Sequence, residues 1–146
     1  MMDILGLEEK IIECRKCDRL VSFREKIARE KRRSYMNWNY WGKAVPGYGD
    51  PNAKIMILGL APAAHGGNRT GRVFTGDKSA DFLFKCLYHV GLANQPNSDH
   101  RNDGLKLDGY ITPAVKCVPP GDKPTADEKA NCEPFLAQEF SLLKRL

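Results

Sequence analysis

The chain has 146 residues, 42% hydrophobic and 28% charged, a globular mix that excludes wholesale disorder. No apolar stretch reaches the ~18 residues of a membrane span, and the acidic, amphipathic start MMDILGLEEKIIE lacks the pattern of a secretory leader. The length predicts one domain over 1–146 inside the cell, and the net charge of +5 is compatible with a polyanion without identifying one.

In chain order, residues 3–33 read as one helix or two, with a CxxC (Cys14, Cys17) between them. Lys26, Arg29, Lys31, Arg32 and Arg33 crowd its end, either as a solvated face or as a contact for a polyanion. The aromatic, Gly- and Pro-rich stretch 34–52 predicts an irregular packed loop. KIMILGLAP (54–62) is a short apolar run closed by Gly and Pro, which predicts a buried parallel strand. A glycine-rich loop, 62–78, follows. Ser79 is placed to cap a helix running to about Val90, with Phe82, Cys86 and Val90 as its inward face and Cys86 as a core residue. After a polar stretch, 93–108, GYITPAVKC (109–117) predicts a second buried strand in which Pro113 is awkward. Thr125 and Glu128 have capping-box spacing for a helix towards Leu146, which Pro134 should kink or divide.

Two strands and alternating helices fit an α/β layer but leave sheet edges and apolar surface bare. Either a partner covers them or the chain is the first part of a longer α/β domain.

Cysteine usage is informative. A disulfide framework does not suit a reducing compartment. Cys14 and Cys17 offer two thiolates on one turn, and Cys117 and Cys132 offer a second, distant pair. Four thiolates suit structural zinc or an iron–sulfur cluster, and spacing does not separate the two. The loop at the end of the first strand lies where open α/β sheets bind ligands. It carries glycines for close backbone approach, the polar residues His65, Asn68, Arg69, Thr70 and Arg72, the flat ring of Phe74, and Asp77 beside a helix start. It is neither a Walker loop nor GxGxxG.

GLAPAAHGGNRTGRVFTGD (59–77) resembles the first motif of the uracil-DNA glycosylase superfamily, most closely its type B, or family 5, members. CRKCDRLVSFRE (14–25), VPGYGDP (45–51) and AVKCVPPGDKPT (114–125) followed by Cys132 agree with it. The resemblance implies a three-layer α/β/α sandwich on a short, mostly parallel sheet, incomplete in this chain. It implies a [4Fe-4S] cluster on Cys14, Cys17, Cys117 and Cys132, and hydrolytic removal of uracil and other deaminated bases from DNA by base flipping. Phe74 would stack on the base, the backbone at Gly59, Leu60 and Ala61 would hold its oxygens, and His65 and Asn68 would line the loop. The first-motif Asp of other branches is Ala61 here, as in type B, so Asp77 is expected as catalytic carboxylate. The base-reading position after the PP turn, usually Asn, is Asp122. DNA carrying deaminated bases would be the partner, with no obligate protein partner and no membrane, in the cytoplasm at the nucleoid. Members of the group continue beyond the point matching Leu146 with further strands and a second active-site loop beginning with His. The 146-residue form alone is therefore expected to be weakly active or inactive. The alternative reading is an inactive iron–sulfur DNA-binding module of the same descent.

Overall fold

In the computed structural model, which describes residues 2–146, the elements run α1 (Ile4–Ile12), α2 (Asp18–Glu30), β1 (Tyr48–Gly49), β2 (Met56–Gly59), α3 (Gly67–Thr70), α4 (Lys78–His89), β3 (Tyr110–Pro113) and α5 (Ala126–Leu142). Single 3-10 turns occupy Arg33–Tyr35 and Pro120–Asp122. The CxxC thus separates two helices. Asp3 starts the first by accepting from the Gly6 amide at 2.9 Å, and Cys17 is the N-cap of the second.

The sheet has the order β1-β3-β2. β3 is its centre, parallel to β2 (Ile57 opposite Ile111) and antiparallel to β1 (Tyr48 opposite Ile111). Alternation along β3 divides the core, because successive side chains in a strand point to opposite faces. Tyr110 joins the cluster of Leu7 and Ile11 from α1, Phe135 from α5, and Cys117 and Cys132. Ile111 joins the other cluster, with Phe84 and Leu87 from α4, Val73 and Leu107. Helices therefore cover both faces of a small mixed sheet, an α/β architecture of three layers.

Pro113 is accommodated by its place in the ladder. Tyr110 and Ala114 donate to the Ile55 and Gly59 carbonyls at 2.9 and 2.8 Å, so the even-numbered amides face β2. The missing donor of Pro113 falls on the other side, where β1 pairs only as far as Ile111.

Four expectations need correction. The strand in 54–62 is parallel but not buried. β2 is an edge of the sheet, with Leu58 51% exposed and Ile55 and Leu60 also open. The inward face of α4 is Ala80, Phe84 and Leu87, whereas Phe82, Cys86 and Val90 face outward. Both stripes are periodic and lie about 200° apart at roughly 100° per residue, so periodicity alone does not choose between them. The stripe beginning at the small Ala80 is the one that packs. Asp77, not Ser79, caps α4, its Oδ1 accepting from the Ala80 amide at 2.9 Å. Finally, Pro134 neither ends nor divides α5. Pro134 and Ala130, whose carbonyl loses its partner, are both exposed, so water can satisfy that carbonyl. Cys132, Phe135 and Glu139 anchor the helix on either side. The capping box forms as expected, with Glu128 N accepted by Thr125 Oγ1 and Thr125 N accepted by Glu128 Oε1.

Candidate functional site

The loop after β2 is irregular in outline and fixed in detail. Its polar side chains turn inward: Asn68, Arg69, Thr70, Arg72 and Thr75 are all buried. Arg69 spans it. Its Nε donates to the His65 carbonyl and its Nη2 to the Gly76 carbonyl at 2.8 Å, which joins the two ends of the loop. The guanidinium sits in the corner of the Tyr35 and Trp38 rings, which stand at 85° to each other, its carbon 3.8 and 4.0 Å from their centroids. Such cation–π contact suits a weakly hydrated cation. Arg72 ties the next turn to the polar stretch 93–108. It donates to Thr75 Oγ1, Ser98 Oγ and both oxygens of Asp103 at 2.9–3.0 Å. The Arg72 pair and the amides of Asp99 and Leu105 hold the Asp103 carboxyl down at about 2, against the cost of burial.

The clamp positions three of the expected residues around one cavity of about 420 Å³: His65, Asp77 and Asp122. Arg32, Tyr35, Gly66, Gly76 and Lys78 share its walls. Asp77 is doubly constrained. Its Oδ1 is engaged as the helix cap, and its Oδ2 abuts Gly66 so closely that a Cβ there would collide with it. The carboxylate consequently sits at the start of a helix, where the dipole favours negative charge. The His65 imidazole is driven towards its neutral form by burial, then by Arg32 and Arg69. Tyr40 Oη accepts from the Arg32 amide at 3.1 Å and stands 2.8 Å from His65 Nδ1. This contact fixes the orientation of the imidazole ring. Asp122 enters from the 3-10 turn with φ of +59°, a left-handed conformation that Asp and Asn tolerate better than other side chains. A two-point pair from Arg19 to Glu128, at 2.7 and 2.8 Å, and its contact with the Lys123 carbonyl hold this turn against α2.

The other expected residues do not line this cavity. Phe74, at φ +50°, rests its ring on Gly59, where a Cβ would stand 2.6 Å from it. Leu60 is exposed and Ala61 half-buried, with the Leu60 carbonyl accepting from Val115. Asn68 is 0% exposed and faces away from the cavity, its Nδ2 donating to the Arg24 carbonyl at 3.2 Å. Its position is that of a tie between the loop and α2. Neither Lys78 nor the edge-to-face pair of Tyr35 and Trp38 stands out in the sequence. The clustering of aromatics in 34–41 was the available signal.

The four cysteines of the two pairs come together on the α1/α5 side of the sheet, where Cys117 and Cys132 are buried and Cys14 and Cys17 pack against the same core. The Cys117 thiol is pushed up to about 11 by burial; Arg24 lowers it, and Cys132 and Cys14 raise it. Cys132 is likewise raised by burial first, then by Cys17 and Cys14. Burial disfavours the anionic form of Cys117 and Cys132, and a bound positive group would offset that cost. Arg24 and Asn131 donate to Cys117 and Cys17 sulfurs at 3.1 and 3.4 Å. Among the described residues no three His, Cys, Asp or Glu are close enough to hold a single metal ion as they stand. The donor set is all sulfur, and a cubane takes one ligand at each of four corners, so a more open arrangement suits it. Cys86 is apart, exposed on α4.

The sequence pattern described as Uracil DNA glycosylase superfamily matches residues 46–146. The chain belongs to this superfamily. Among similar superfamily members is the Type-5 uracil-DNA glycosylase of Pyrobaculum aerophilum, 51% identical over 92% of this chain and 59% of the relative. Those of Mycobacterium bovis and Thermus thermophilus are 49% and 46% identical, over 96% and 97% of this chain and 53% and 64% of their own lengths. The chain thus spans between about half and two-thirds of the length of these relatives. Among the described residues no helix is long and apolar enough to cross a membrane.

Proposed function

We propose that this chain carries the base-binding and catalytic portion of a uracil-DNA glycosylase, acting in the cytoplasm on nucleoid DNA that contains uracil or other deaminated bases. The observation that carries the reading is the meeting of Asp77, His65 and Asp122 around one cavity. A target base cannot be reached inside the duplex and has to be everted. Phe74 supplies the stacking face, and the backbone at Gly59, Leu60 and Ala61 supplies donors to the base oxygens, where negative charge grows as the glycosidic bond breaks. The sugar becomes oxocarbenium-like. The Asp77 carboxylate stabilises that cation and takes a proton from the attacking water. His65, driven towards its neutral form, lines the cavity without adding a second positive charge to be desolvated. Arg32 and Lys78 on the rim meet the phosphates, a contact that weakens as salt rises.

Cys14, Cys17, Cys117 and Cys132 would hold a [4Fe-4S] cluster, whose bonds would join the α1–α2 turn to the segment after β3 and to α5. The residues suit it in number and chemistry, and all four pack on one core.

The test is incubation of the full gene product with an oligonucleotide containing one uracil, followed by alkali. Strand cleavage at the uracil, absent with thymine, is expected. Salt-sensitive DNA binding with no alkali-labile product would instead favour the inactive binding module.

A further inference from the structure

Arg24 has no place in that chemistry, yet it is among the most deeply buried side chains, 2% exposed. A charge removed from water is costly unless it is paired. None of the ion pairs among the described residues includes it. Its neighbour in the chain, Glu25, is engaged with Arg15 at the surface. The guanidinium points instead into the cysteine site. Nη1 donates to Cys117 Sγ at 3.1 Å and to the Cys14 carbonyl at 3.0 Å, and Nε is buried with no partner. The other cation nearby, Lys116, is already neutralised by Glu139 at 2.6 Å. A sulfur and a backbone carbonyl, both from the cysteine site, are therefore what the Arg24 guanidinium meets.

We propose that Arg24 is the charge-compensating residue of the four-cysteine site, donating to Cys117 Sγ and thereby setting how firmly, and at what reduction potential, an iron–sulfur cluster is held there. The inference rests on the [4Fe-4S] reading above. A cluster with four cysteinate ligands is anionic, and its potential responds to net charge and to hydrogen bonds on sulfur. Removing the cation disfavours an added electron and eases oxidation. The same residue touches the candidate site by another atom, since its carbonyl accepts from Asn68. Side-chain substitutions leave that carbonyl in place, so the two roles are separable.

The experiment compares wild type, Arg24→Lys, Arg24→Gln and Arg24→Met, each made and purified anaerobically. Iron per chain, midpoint potential by protein-film voltammetry, and the rate of iron loss to a chelator are measured. Arg24→Lys keeps the charge and is expected to stay near wild type. Arg24→Gln removes the charge and, two atoms shorter, draws the donor back from sulfur as well; its potential moves to more negative values and its iron is lost about tenfold faster, as for other outer-shell partners. Arg24→Met follows it, and where Met prevents folding the Lys–Gln comparison stands alone. Unchanged potential and iron retention in Arg24→Gln would overturn the proposal. Iron-free wild type would overturn the cluster reading itself, a separate result read before any variant.

Discussion

Two neighbouring regions of this molecule invert the usual polarity of a protein. In the loop 59–77 the polar residues Asn68, Arg69, Arg72 and Thr75 are inside. On the adjoining outer face of α4 and the edge of β2, the apolar residues Phe82 (75% exposed), Val90 (65%) and Leu58 are outside. The difference lies in what each is doing. The loop forms few regular backbone bonds, so the buried side chains of Arg69, Thr70 and Thr75 satisfy several of its carbonyls, and Asn68 and Arg72 tie it to α2 and to the stretch 93–108. The α4 face satisfies its backbone within the helix and makes no demand on its side chains. Loss of one loop group should therefore be costly and local to the cavity, and loss of one outward apolar group nearly silent.

The largest expected effect is at the clamp and the carboxylate it presents. Arg69→Ala leaves the His65 and Gly76 carbonyls without their donor and removes the filling between Tyr35 and Trp38. About 2–3 kcal/mol of stability should go, visible in urea titration, together with most uracil release. Next is the Gly66–Asp77 contact. Gly66→Ala should displace the carboxylate and depress base release about a hundredfold, while melting shifts by only a few degrees. A smaller, opposite change is expected at Asp122. An ionised carboxylate only accepts, whereas an amide also donates. Asp122→Asn keeps the left-handed backbone and should raise uracil release relative to bases that present a donor, by about tenfold, the worth of one hydrogen bond of ~1.4 kcal/mol. Competition between two lesion-bearing oligonucleotides measures it. Glu8, on the α1 side, gives a pH signature. Burial first, then Glu139 and Asp3, raises its carboxyl from 4.5 to about 7. The folded state holds this proton more tightly than the unfolded one, so its contribution is complete below pH 4.5 and is lost as pH climbs towards 7. Glu8→Gln should accordingly raise the melting temperature at pH 8 and leave it unchanged at pH 4. Smallest of all, Phe82→Ser should shift stability by less than about 0.5 kcal/mol.

What the amino-acid order disclosed follows the same division. The CxxC turn, the capping box at Thr125 and Glu128 and the loop's place after a strand rest on local chemistry, and all are present. The residues of the motif were legible too, but Asn68 looked like a lining group because sequence gives no direction to a side chain in a loop. The face of α4 was misread because two apolar stripes share one helix. The exposure of β2 depends on strand order, a long-range property that no local run encodes. Arg24 was hidden inside an ordinary amphipathic helix; only the convergence of Cys14 and Cys117 on it reveals the buried cation.

The most direct test of the account uses Asp77→Asn in the full gene product. Asn is as good a helix cap as Asp, so α4 and its stability should be retained while the carboxylate is lost. Single-turnover release of uracil from a dU oligonucleotide is predicted to fall about a hundredfold or more with an unchanged melting temperature. A rate equal to wild type would contradict the assignment of catalysis to this cavity.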